Sequence, residues 1–286
     1  MNTRRFIVTT LFILFAAGYA GRDSSGQTVA SGEDDFPMVD YHVHLKPGLT
    51  VDDAKAWADA HGMDYGIAGA CGLGTPIRDD AGLLEFLASM KGQGVYVGMQ
   101  VEGREWVEMF SPEVMAQFDY VISDAMTWRD DKGRRMRLWL PFQVYVDDPQ
   151  DFMDSLVDRT VWILENEPID IYVNPTFLPD IIAGRYDELW TEARMDRVIN
   201  AAVKNDVAIE INARRRIPSP TFLKRAKRAG ATFAFGTNNG SKDDLGNLEY
   251  CRETIVECGL TPEDLFVPKP DGHKAIQRKP LPKGIY

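Results

Sequence analysis

The 286-residue sequence predicts an α/β protein whose principal strands close into a parallel, TIM-like (β/α) barrel. Three observations lead there. Apolar, β-branched runs alternate with capped, amphipathic segments, giving seven principal strands, each followed by a helix. No shift in composition divides residues 37–267. No glycine-rich phosphate loop follows the first strand, which ranks an open, doubly wound sheet second.

The first strand is Met38-Val39-Asp40-Tyr41-His42-Val43-His44-Leu45. A helix over 50–61 follows, with Thr50 as N-cap, Asp52 and Asp53 in its first turn and Gly62 as its stop. Strands are then expected over 64–70, 95–102 and 119–126, separated by helices over 81–91 and 112–117. Residues 138–146 alternate and read as an inserted strand or hairpin. A helix over 149–167, a strand over 169–176 and a long helix over 186–205 come next. Strands over 207–213 and 232–238 flank a helix over 219–229 closed by Gly230, and 243–257 is the last clear helix.

In such a barrel, functional groups gather at the C-terminal ends of the strands. Those ends carry His42, His44, Cys71, Glu102, Asp124, Asn174, Glu210, Asn212 and Asn238. Two histidines two apart on a strand leave the same face, which suits one cation bound through neutral imidazoles. Asp40, in phase with them, is placed to hold a ring N–H from behind. The same pattern also fits a strand whose histidines are satisfied by backbone carbonyls. Glu102 closes an apolar run, where a carboxylate is costly unless a cation pairs with it; the competing partner is Arg104. Glu210 has a similar context, with Arg214-Arg215-Arg216 just beyond. Three arginines at a strand end can hold a phosphate or carboxylate by bidentate contacts, or can form a solvated loop paired with surface acids.

These stretches resemble the PHP (polymerase and histidinol phosphatase) superfamily over about residues 37–266. Asp40-Tyr41-His42-Val43-His44 stands as its D-x-H-x-H motif, and Glu102 as the glutamate that bridges two metals in that family. Residues 118–123, 169–175, 210–212, 218–230 and 235–240 follow its later sections. The resemblance implies a distorted seven-stranded barrel that binds metal. This chain departs from the pattern at Gly69-Ala70, Met126, Asn174, Asn238 and Gly240, where the family has ligands of its metal cluster. What remains is a reduced site of His42, His44 and Glu102, with Asn238 in the place of a carboxylate and Asp40 behind the histidines. A single divalent ion (Zn, Mn or Fe) is implied, with Cys71 as an outlying thiolate candidate. Arg214, Arg216, Asn174, Glu210 and Asn212 are the expected substrate contacts. The implied function is a metal-dependent, phosphoesterase-type hydrolase of a small anionic molecule. The alternative is an inactive binding protein that keeps the pocket without the cluster. The amidohydrolases, which also begin with H-x-H, need further histidines that are missing here.

The ends of the chain suggest export. Arg4 and Arg5 precede an apolar run from Phe6 to Ala17, and small residues lead to Ala20, the pattern of a signal peptide over 1–20. Residues 21–36 read as a flexible leader and 268–286 as a basic, proline-rich tail, either a surface strap or a loose end. The net charge of −11 becomes −13 when Arg4 and Arg5 leave, which excludes any global affinity for nucleic acid or anionic membrane. A periplasmic or secreted location without a membrane anchor is expected. Cys251 and Cys258 lie about 10 Å apart along a helix axis, beyond disulfide reach. An odd count of three cysteines leaves at least one thiol free or in an intermolecular bridge.

Overall fold

The computed structural model describes residues 36–284; the segments expected to be a signal peptide and, nearly all of it, a leader lie outside the described residues. Seven parallel strands close in the order β1 (Val39–Val43), β2 (Asp64–Gly72), β3 (Tyr96–Glu102), β4 (Tyr120–Ser123), β7 (Ile171–Tyr172), β8 (Ala208–Asn212) and β9 (Phe233–Gly236). Asp40 of β1 pairs with Phe235 of β9 to complete the ring, as the TIM-like expectation requires.

The strands alternate between two apolar layers. Inside the barrel, Tyr41, Tyr120, Ile122, Ile171, Ala208 and Ala234 form one buried cluster. Tyr120 lies across β2 and β3, where a Cβ on Gly66 or Gly98 would collide with its ring, so glycine is required at both. Residues one position on, such as Val121, Tyr172, Ile209 and Phe235, point outward into the larger core under the helices.

Local signals set the helix ends. In α1 (Val51–His61) Thr50 and Asp53 form a reciprocal capping box and Gly62 closes the helix at φ +60°. α2 (Asp80–Met90) is capped by Asp79 and α3 (Pro112–Met115) by Ser111. α4 (Pro149–Asn166) combines Asp148 as N-cap with proline in its first turn.

The structure departs from the sequence reading in four places. The inserted hairpin is not at 138–146: β5 (Thr127–Arg129) pairs antiparallel with β6 (Arg135–Arg137), and 138–146 holds a 3₁₀ turn at Pro141–Gln143. Proline offers no N–H to a ladder there. The strand expected over 169–176 ends after Tyr172, because Asn174 turns left-handed at φ +49° before Pro175. The long helix over 186–205 is broken: α5 (Asp180–Ala183) and α6 (Tyr186–Leu189) precede α7 (Glu192–Lys204). Trp190 dives into the core, its Nε1–H bonded to the Thr176 carbonyl at 3.0 Å, and Thr191 starts a new helix as N-cap. After α8 (Pro220–Arg228), the last predicted helix begins later, as α9 (Glu249–Cys258).

The tail is docked as a strap. Its short helix α10 (Ala275–Arg278) buries Ala275 and Ile276, and the Ala275 N–H bonds to Asp170 Oδ1 at 3.1 Å. Lys274 and Lys279 donate to the carbonyls of Ala116 and Leu164 at 2.8 and 3.0 Å. These partners precede β4 and β7, so the strap sits at the barrel's N-terminal end, away from the site. All three cysteines are free thiols. No helix among the described residues is long and apolar enough to cross a membrane.

Candidate functional site

β1 delivers both histidines to the C-terminal end of the barrel, with ring centroids 5.2 Å apart. His42 Nδ1 lies 2.5 Å from Glu210 Oε1, and His44 Nδ1 lies 2.9 Å from the Ala68 carbonyl oxygen. Both partners accept, so Nδ1 of each ring carries a proton, and in the neutral imidazole Nε2 is left with the lone pair. His42 Nε2 is buried and has no hydrogen-bond partner among the described residues. Leaving such an atom bare costs about 1–3 kcal/mol. Burial, with His42 and Lys46 nearby, pushes the His44 pKa down from 6.5 to about 3.

A polar network built on β8 fixes this arrangement. Glu210 is 1% exposed, and its second oxygen accepts from the Asn174 N–H at 2.7 Å and from Asn212 Nδ2 at 3.1 Å. Asn174 Oδ1 also accepts from Asn212 and Asn238, at 3.2 and 3.3 Å, while its Nδ2 donates to Asp124 Oδ2 at 3.1 Å. Asn174 and Asn238 both sit at positive φ, +49° and +45°, which asparagine tolerates better than most residues. Behind Glu210, β9 leaves room only for glycine at Gly236, where a Cβ would meet the carboxylate. Asn239 clamps the His44 backbone, accepting from its N–H at 2.7 Å and donating to its carbonyl at 3.0 Å.

In front of the network lies a cavity of about 840 Å³, lined by His44, Gln100, Asp124, Asn174, Asn238 and Arg214 among others. Burial raises the Asp124 carboxyl pKa, against the opposing bonds from Met126 and Asn174. Lys46, Arg214 and Arg215 also line this cavity, and none has an ion-pair partner among the described residues. Burial and the neighbouring Arg214 lower the pKa of Lys46, in keeping with a crowded cluster of cations.

The structure places several expected site residues differently from the sequence reading. Asp40 does not hold a histidine ring; its carboxylate binds the His42 N–H at 3.0 Å and the Thr237 N–H and hydroxyl at 3.0 and 2.7 Å. The register shifts between Asp40 and Val43, so counting back by twos from His42 misjudges where Asp40 points. Glu210, expected to touch substrate, performs that backing role. Glu102 lines the cavity, but its Oε1 faces Arg137 Nε at 3.7 Å and Thr127 Oγ1 at 3.4 Å, tying β6 to β3. Arg104 is not its partner, being buried against Glu167 at 2.6 Å. Arg216 leaves the cavity: at φ +53° its guanidinium turns out to Glu253, at 2.5 Å. Asn212 supports Glu210 from within the network. The Cys71 thiol donates to the Gly69 carbonyl at 3.2 Å, and burial pushes its pKa far up, which disfavours a thiolate ligand.

The donor set fits a divalent ion at the two histidines, since each offers a neutral Nε2 with an anchored Nδ1–H. Among the described residues no group of three or more His, Cys, Asp or Glu is placed to hold a metal ion, so the fit covers only these two positions. Sequence reasoning passed over Lys46 and Asn239, and counted Arg215 only as one of the three arginines of the 214–216 run.

Comparison with known proteins leaves the family open. No family model matches the chain, and no curated protein does. Among solved structures, a Xaa-Pro dipeptidase with methionine bound in its active site aligns at 14% identity and a TM-score of 0.22, over 83% of this chain. The chain spans 50% of that protein's length, and a likeness this weak carries no argument.

The His44 environment gives a direct expectation. With its folded pKa near 3 against 6.5 for a free histidine, its contribution to stability is complete above pH 6.5 and is lost as the pH falls toward 3. In metal-free protein its imidazole resonances should stay unshifted between neutral pH and about pH 5. A His44 signal that titrates near 6.5 in the folded protein contradicts this environment.

Proposed function

We propose that the chain is an exported, PHP-like hydrolase of a small phosphoester-type anion, using one divalent ion held by His42 and His44. The observation that carries this reading is the bare, buried Nε2 of His42, beside a second histidine whose tautomer is also set by its partner. Zinc, manganese or iron bound there would polarise a substrate oxygen and acidify a water molecule. The chain's own residues supply the rest. Lys46, Arg214 and Arg215 draw in the anion, and Asp124, raised by burial, is a cavity carboxyl suited to holding a proton.

Arg214→Ala should weaken binding of inorganic phosphate by about 1.5–3 kcal/mol, roughly ten- to a hundredfold, the cost of one charge-assisted contact. Arg216→Ala, which removes an outward-facing pair with Glu253, should leave it unchanged. Calorimetric titration checks both. Equal losses in the two variants, or none in either, count against the assignment of Arg214.

A second reading is a binding protein without turnover. It is favoured by Glu102, whose carboxylate is occupied by Arg137 and Thr127. Phosphate binding without metal-stimulated turnover of an aryl phosphate selects this reading; turnover that appears on adding zinc or manganese selects the hydrolase.

A further inference from the structure

The cavity is lined by two unlike sets of side chains. One is Lys46, Arg214 and Arg215, without carboxylate partners among the described residues. The other is Ile77, Phe86 and Trp139, all only partly buried and all lining the same space. The apolar set comes close to the β2 backbone. A Cβ on Gly69 would lie 3.0 Å from Ile77 Cδ1 and 3.1 Å from Phe86 Cε1, so even alanine at Gly69 would push these side chains away. Phe86 is held in place by Phe118, stacked at 6.3 Å with an interplanar angle of 9°. Two aromatic rings left open to one cavity offer a flat, desolvating surface, and a ligand that is only an inorganic-like anion has nothing to place there.

We infer that the ligand of this cavity is an amphipathic anion: a phosphoryl or carboxylate group at Lys46 and Arg214–Arg215, joined to a flat apolar or aryl group that packs on Ile77, Phe86 and Trp139. The inference rests on the anion-binding reading above and adds the second half of the molecule. Discrimination falls to the two aromatic side chains, with the cations common to every ligand.

The test compares phenylphosphonate with methylphosphonate, two anions that share a head group and resist hydrolysis, by calorimetric titration of the full chain. Phenylphosphonate should bind at least about tenfold more tightly, the worth of burying a ring in place of a methyl group. Trp139→Ala and Phe86→Ala should each reduce that preference, and wild-type protein alone suffices for the main comparison if either variant fails to fold. Equal affinity for the two anions overturns the inference while leaving the anion site standing. Binding of neither overturns the anion reading and this inference together. A preference that survives both substitutions undiminished places the apolar group elsewhere and also overturns it.

Discussion

Glu210→Ala should destabilise the folded protein by more than about 3 kcal/mol, lowering the melting temperature by roughly 10 °C for a domain of this size. The substitution removes the acceptor of three buried N–H groups at once: His42 Nδ1–H, the Asn174 N–H and one N–H of the Asn212 amide, which keeps its bond to Asn174 Oδ1. Glu210→Gln separates this structural role from the proton it controls. The amide oxygen has to face the Asn174 and Asn212 donors, which leaves the NH₂ group against His42 Nδ1. That nitrogen then becomes an acceptor, the proton moves to Nε2, and the lone pair on Nε2 is gone. Glu210→Gln should therefore stay folded with a smaller loss of stability yet bind a divalent ion about 10–100-fold more weakly. Chemical denaturation and metal titration measure the two effects. Wild-type metal affinity in Glu210→Gln would show that the His42 tautomer does not matter.

The second large effect is at Arg104, which is 2% exposed and donates to Glu167, Ser123 and the Asp124 carbonyl. Among the described residues, Arg104→Met leaves the fully buried Glu167 carboxylate with only the Trp106 N–H, at 3.1 Å, and should cost about 3–5 kcal/mol. Replacing both partners, as Arg104→Met with Glu167→Leu, should recover most of that loss, since no charge is then left unpaired. The pH dependence has a definite sign. Burial raises the Glu167 pKa and Arg104 opposes the rise, so removing the arginine lifts it further. A carboxyl whose folded pKa lies above its unfolded one costs stability as the pH rises through the folded value. The deficit of Arg104→Met should be smaller at pH 5 than at pH 8. A deficit that grows on acidification would contradict a buried, unpaired Glu167.

The parts of the fold written in local signals were readable from the chain. Thr50 with Gly62, Ser219 with Gly230 and the apolar strand cores each act within a few residues, and alternation alone implied a parallel barrel. The β5–β6 hairpin was not readable, because Arg129, Arg134, Arg135 and Arg137 give it no apolar alternation and it is held by ion pairs to Asp130, Glu105 and Glu102. The break at Trp190 depends on a bond to Thr176, which no periodicity reveals. In the site, His42 and His44 were legible because a strand's period of two survives between them. Asp40 was misplaced by a register shift, and the divergence of Arg215 from Arg216 follows from one left-handed residue. Glu210 showed itself as a buried carboxylate, but its partner lies 168 positions away.

Metal stoichiometry of the mature protein, wild type against a His42→Ala/His44→Ala double variant, tests the central claim most directly. After incubation with zinc or manganese and removal of excess ion, the proposal predicts about one bound ion per wild-type chain. The double variant should bind none; because His42 is 1% exposed and its removal leaves Glu210 Oε1 without a partner, circular dichroism is recorded on the same sample so that loss of the ion is read from folded protein only. Wild-type protein that takes up no ion, or a folded double variant that binds as much as wild type, would contradict the claim that these two histidines form a metal site.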